Sequence, residues 1–95
     1  AVLTQASNLR LAPHVWGGAV GLATACHFIA ALADTPHTEH PPHPLMLEYD
    51  MSDNELRTRL LKQPLRLEAG HVLLPEGPGL GIDLDPAAVE RYRIC

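Results

Sequence analysis

The sequence is poor in the features that would place it in a special class. It has two cysteines, Cys26 and Cys95, far apart in the chain. They make no disulfide framework, and a reducing, cytoplasmic setting is expected. Positive charge is not in excess: seven Lys and Arg stand against eleven Asp and Glu, a net charge of −4. Nothing in that balance calls for nucleic acid or an acidic membrane as partner. No apolar run is long enough to cross a bilayer. The longest, residues 17–33, is broken by Thr24 and His27 and falls short of the roughly 20 residues that a span needs. Its closing AALAD mimics a signal-peptide cleavage site, yet the run starts well inside the chain and has no lysine-rich flank. There is no internal repeat, and 95 residues leave room for one domain and not two.

What remains is a globular composition, 46% apolar and 19% charged. AVLTQASN reads as the end of a helix, closed by Asn8 in the left-handed conformation. LRLAP, Leu9 to Pro13, reads as a short strand stopped by its proline. From Gly17 the chain reads as a helix of about five turns. Its large apolar residues, Val20, Leu22, Phe28, Ile29 and Leu32, cover most of the circumference rather than one stripe. A helix apolar all round is normally buried inside something large. Asp34 to Pro44 is a loop, because its prolines forbid regular structure. PLMLEYD follows as a second strand. Ser52 and Glu55 have capping-box spacing, with LRTRLL continuing the helix. PLRLEAGHVLLPEG reads as two short strands around Ala69-Gly70. Asp85-Pro86 is a helix start, an N-cap followed by proline.

A strand, a helix and a strand in that order imply a parallel pair with a right-handed crossover, hence an α/β architecture. Two such strands cannot make a sheet covered on both faces, so more strands are expected than this chain holds. His14 follows the first strand and Glu48 lies at the end of the second. In a parallel unit both arrive at the carboxyl end, where such sheets and barrels place their sites. An imidazole and a carboxyl there make a candidate acid–base pair. Either residue alone is more often an ordinary solvated loop residue; the shared register is what singles them out. Trp16, two residues beyond His14, is a candidate pocket wall.

His37, His40 and His43 are evenly spaced, but the prolines among them preclude a helical face and the loop lies at the amino end of the strands, so no metal site is expected there. His27 reads as a packed, hydrogen-bonded histidine and His71 as an exposed strand residue. GPGLG, Gly77 to Gly81, is followed by IDLD and not by a helix, so it reads as a tight turn and not a phosphate cradle.

Three stretches, LRLAPHVWGGAVGLATACHFIAAL, LEYDMSDNELR and VLLPEGPGLGIDLD, resemble in collinear order the carboxyl end of enolase-superfamily enzymes of the mandelate racemase and muconate lactonizing subgroup. The long proline-rich loop between His14 and Glu48 is more similar to the galactarolactone cycloisomerase and acid-sugar dehydratase branch. The resemblance implies the C-terminal part of a modified TIM barrel, with strand 7 at LRLAP, helix 7 at Gly18 to Ala33 and strand 8 at LMLE. It implies a division into residues 1–51 in the barrel and 52–95 returning to an α+β capping domain. The reaction it implies removes the proton α to the carboxylate of a sugar acid or its lactone, with Mg2+ as cofactor, in a dehydratase, cycloisomerase or racemase. His14 would match the histidine of the family's His–Asp dyad. Glu48 would match the glutamate that, if protonated, donates to a substrate carboxylate oxygen. Trp16 would be a substrate-pocket wall.

The family's lysine base, its three acidic metal ligands and the dyad aspartate belong to earlier strands, and Lys62 does not match the base. The resemblance therefore implies two site residues here, no metal ligand and no complete site. The partners would be the remainder of the barrel chain, a small sugar acid or lactone, and further copies once complete; no nucleic acid or membrane is expected. The reading of a different class is a free-standing small α+β module that binds or assembles through its apolar helix without chemistry.

Overall fold

The computed structural model describes residues 1–32 and 44–94. In order they form α1 (Val2–Ala6), α2 (Ala19–Ala30), α3 (Glu55–Thr58), β1 (Leu67–Glu68), β2 (His71–Val72) and α4 (Pro86–Arg91). His37, His40, His43 and Cys95 lie outside the described residues.

α1 is a short helical turn, and Asn8 follows it with φ 51°. Asparagine tolerates that left-handed geometry better than most residues with a Cβ. α2 runs from Ala19, after its N-cap Gly18, to Ala30, so it is shorter than the five turns expected. Ala19, Leu22, Ala23, Ala25 and Cys26 are buried. Four of them follow the i, i+3, i+4, i+7 spacing of one helical face. Val20 and Phe28 stay about two-fifths exposed on the other side. The helix is thus apolar also on a face that the described residues cover only in part.

The two segments read as strands carry no ladder. Residues 9–13 and 44–50 pair neither with each other nor with another described strand. Their side chains nonetheless alternate. Leu11, Pro13 and Val15 are partly buried while Ala12, His14 and Trp16 are exposed; Leu45 and Leu47 are partly buried while Met46 and Glu48 are exposed. Period-two burial is the mark of extended chain with two distinct faces. A strand requires a partner to supply its hydrogen bonds, and alternation alone cannot supply one.

The helix after Asp50 starts and ends elsewhere than its spacing predicts. Asn54, not Ser52, is the N-cap: its side-chain oxygen accepts from the backbone N–H of Arg57 at 3.2 Å. α3 ends at Thr58 instead of running through LRTRLL. Glu55 therefore sits at the first helical position. It accepts from the Tyr92 hydroxyl at 2.6 Å and pairs with Arg59 at 3.1 Å. This clasp joins α3 to the residue that closes α4.

The tail follows its local signals closely. β1 and β2 pair antiparallel, Leu67 with Val72 and Glu68 with His71. Ala69 (φ 49°) and Gly70 (φ 78°) make the two-residue turn with positive φ at both positions, the type whose twist matches a hairpin. Leu61 bridges Leu84, with Lys62 N–H donating to the Asp83 carbonyl and Asp85 N–H to that of Leu60. Asp85 caps α4 by accepting from Ala87 N–H at 3.0 Å, and Pro86 opens it. Gly81 (φ 66°) folds the PEGPGLG loop back on itself. A Cβ there would lie 2.8 Å from both the carbonyl carbon and oxygen of Pro75.

The buried apolar residues are Ala19, Leu22, Ala23, Ala25, Cys26, Leu61 and Ala88, and among the described residues no large side chain is fully enclosed. Val2, Leu3, Trp16 and Met51 are each more than three-quarters exposed. Burial of apolar surface drives folding, and here much of that surface is still in water.

Two outcomes follow for stability. Gly81→Ala must combine positive φ with a backbone clash, a cost of about 2–4 kcal/mol, whereas Gly79→Ala, at φ 65° with open space around it, carries only the conformational cost of about 1 kcal/mol. Denaturant midpoints of the two variants are expected to fall in that order. The Tyr92 hydroxyl, first among the causes, holds the Glu55 carboxyl below its usual value, and the same bond holds the Tyr92 phenol above its own. A depressed carboxyl stabilises above its unfolded value and that stability is lost as pH falls through the folded value. A raised phenol stabilises below its unfolded value and that stability is lost as pH rises through the folded value. Tyr92→Phe is expected to flatten both limbs of a plot of denaturation midpoint against pH.

Candidate active site

The extended segment after α1 brings His14 to an exposed rim, and the extended segment before α3 brings Glu48 to the same rim. His14 Nδ1 lies 2.9 Å from Glu48 Oε2. The two residues are 34 apart in sequence. The backbone N–H of Val15 donates to the same Oε2 at 3.2 Å. A carboxylate has acceptors only, so with Glu48 in that form the contact requires the proton on Nδ1 and, in a neutral ring, leaves the lone pair on Nε2. The His14 side chain is 76% exposed, which leaves that Nε2 open to an incoming molecule. An imidazole held by one nitrogen and free at the other is the arrangement a proton acceptor needs.

Trp16 is 77% exposed. With Pro13, His14, Gly21, Thr24 and Phe28 it lines an open groove of about 380 Å³ along α2. The three candidates chosen from the sequence are therefore brought together, two by a hydrogen bond and one along a shared groove. The remaining histidines stand apart. His27 Nε2 is 3.0 Å from the Leu80 carbonyl, part-buried and hydrogen-bonded. His71 is exposed in β2, with Nδ1 3.0 Å from the Ala69 carbonyl. Cys26 lines a separate, mainly apolar cavity of about 320 Å³ with Ile29, Leu45 and Leu47. Burial pushes its thiol upward, so it behaves as an apolar residue rather than a nucleophile.

Sequence reasoning missed the residues that tether the rim. Asn54 Nδ2 donates to the Gly17 carbonyl at 3.1 Å. Gly18 backs onto Leu56, whose Cβ and carbonyl oxygen would be 3.4 Å from an added Cβ. Two residues beyond Glu48, Asp50 accepts from the Ser52 N–H and hydroxyl, each at 2.8 Å, and from Arg57 Nη1 at 3.0 Å. The Arg57 guanidinium also lies 5.4 Å from the centre of the Tyr49 ring. The signal was present in the SDN triplet, where Asn54 is the last residue before the helix. The Ser52 and Glu55 spacing fitted a familiar pattern and drew the assignment two residues too early.

Among the described residues, no three His, Cys, Asp or Glu side chains converge as a metal ion requires. The residues present here do not by themselves fit a magnesium site. No described helix is long and apolar enough to cross a membrane.

Comparison with known proteins gives the site its context. Residues 1–88 match the family described as enolase C-terminal domain-like. The chain is 38% identical over 94 residues to a D-galactarolactone cycloisomerase from Agrobacterium fabrum, which spans 99% of this chain and 25% of that protein. It is 29% identical over 91 residues to an arabinonate dehydratase from Saccharolobus solfataricus, covering 96% of this chain and 22% of the relative. It is 33% identical over 75 residues to muconate cycloisomerase 1 from Rhodococcus opacus, covering 79% and 18%. A crystal structure assigned as a mandelate racemase from Bordetella bronchiseptica RB50, complexed with 2-oxoglutarate/phosphate, superposes with a TM-score of 0.80 at 33% identity, covering 99% of this chain and 23% of that one. The chain spans about a quarter of the length of these curated relatives.

The Ser52 hydroxyl and N–H, and then the Arg57 charge, hold the Asp50 carboxyl below its usual value. Its contribution is present above the unfolded value and is lost as pH falls through the folded one. Asp50→Asn removes that titration, so the fall in denaturation midpoint on acidification is expected to be shallower in the variant than in the parent.

Proposed function

The chain belongs to the enolase C-terminal domain-like family, and from that premise we propose that it forms the closing part of an acid-sugar lyase or isomerase, contributing a histidine–glutamate half-site. The observation that carries this reading is the 2.9 Å contact between His14 Nδ1 and Glu48 Oε2 at an open rim. The relatives named cycloisomerase and dehydratase favour a sugar acid or its lactone as substrate. In this reading residues 9–13 and 44–48 are the seventh and eighth strands of a barrel whose other strands supply their missing partners. The residues from 52 onward belong to the capping region.

The chemistry is proton removal from the carbon next to a carboxylate. His14 Nε2 takes the proton, and the electron pair of the broken C–H bond moves onto the carboxylate. Glu48 holds the ring through Nδ1 and offsets the positive charge that the imidazole gains. Both of these Glu48 contacts use Oε2, and neither uses Oε1. Trp16 forms one wall of the groove. Magnesium would be held by residues outside this segment, where it would offset the developing negative charge.

The exposed apolar residues argue against a free-standing module. Leu9, Trp16 and Met46 flank the site segments and are each more than half exposed. A self-sufficient domain would bury more of that surface.

The test is exchange of the α-proton of galactarolactone and related sugar acids in deuterated buffer, with the intact protein and added magnesium. His14→Asn is expected to slow exchange by about 10²–10⁴-fold, the range of a positioned general base. Exchange at the parent rate in that variant would remove His14 from the reaction.

A further inference from the structure

We propose that Asp53 is a specificity-determining residue of the site: its carboxylate accepts from hydroxyls at the end of the substrate remote from the reacting carbon, and it repels a second carboxylate there. The proposal rests on the function proposed above and adds which sugar acids fit. Trp16 and Gly17 line two neighbouring cavities. One is the groove along α2 that also holds His14. The other is open, about 460 Å³, and lined on its far side by residues 52–56. Its walls are the loop after His14 and the loop after Glu48. In the proposed barrel these are adjacent loops at the carboxyl face, where substrates bind. Both belong to this chain, and they are tied where Asn54 Nδ2 donates to the Gly17 carbonyl at 3.1 Å.

Three acids lie in the loop and first turn after Glu48, and two of them are occupied. Asp50 accepts from Ser52 and Arg57, and Glu55 from Tyr92 and Arg59. Asp53 is exposed, and its carboxylate has neither a hydrogen bond nor an ion pair among the described residues. It lines the second cavity with acceptors only. Sugar hydroxyls bring the donors that such a group binds in short, charge-assisted bonds. A substrate carboxylate brings no donor and a like charge, so it is disfavoured. The Trp16 indole between the two cavities offers an apolar face to the C–H edge of the sugar chain. The site therefore selects lactones and mono-acids with a hydroxyl tail over open di-acids.

Galactonate and galactarate form the test pair, because they differ only at the remote end, a hydroxymethyl group against a carboxylate. Their dissociation constants are measured by calorimetry on the intact protein with magnesium, carrying His14→Asn to prevent turnover. Neutral pH and low ionic strength keep the exposed charge least screened. With Asp53 present, galactonate is expected to bind about tenfold more tightly than galactarate, and Asp53→Asn to bring the two within about twofold. Asp53→Lys is expected to reverse the order. Equal affinities with Asp53 present, a ratio unchanged by Asp53→Asn, or no binding of either acid each overturns the proposal. The reaction is read separately, by α-proton exchange in protein that retains His14. Absence of exchange with the expected ratios found removes the proposed chemistry and leaves the role of Asp53 standing; exchange with an unchanged ratio does the opposite.

Discussion

The arrangement turns on two extended stretches that, among the described residues, share no ladder and still bring their side chains to one point. Backbone hydrogen bonding normally does this in an α/β protein, because adjacent strands fix each other's register. Among the described residues the flanking backbone is tied to a four-residue helix and its cap. Asn54 holds the loop after His14 and Arg57 holds the segment after Glu48. Beside these ties the imidazole and carboxyl meet 2.9 Å apart.

That arrangement also accounts for the division of polar and apolar surface. Arg57 and Asp50 are largely buried, with side chains 10% and 16% exposed, and form a charged pair beneath the rim. Removing one partner of such a pair leaves a charge in a poorly solvated place, so the pair locks a conformation more than it adds stability. The large apolar side chains lie elsewhere and in the open. The α2 face bearing Val20 and Phe28, and the exposed residues Leu9, Trp16 and Met46, await surface that these residues do not provide for one another. Relatives four times as long have that surface to offer.

Legibility from the sequence followed the range of the interaction. The Ala69-Gly70 turn, the Asp85-Pro86 helix start, the left-handed Asn8 and the glycine turn at Gly81 were all readable, because each is decided by a few neighbouring residues and by which φ they tolerate. The packed His27 and the exposed His71 were also read correctly. The length of α2, the end of α3 and the identity of its cap were not. Ser52 had the right spacing, but Asp50 captured it in a local turn, and Asn54 had two bonds to make where Ser52 could make one.

The sequence by itself determined the candidate residues, His14, Glu48 and Trp16, and the alternation that puts the first two on the exposed sides of their segments. It did so because side-chain type and period-two patterning are properties of the chain alone. Only the tertiary structure decided that the two meet through Nδ1 and Oε2, and that Asn54 and Arg57 tie the neighbouring Gly17 and Asp50 to α3. Those contacts span 34 and 37 residues for the pair and for the Asn54 tether. No local rule reaches that far, since the closeness of such groups is settled by packing rather than by neighbours in the chain.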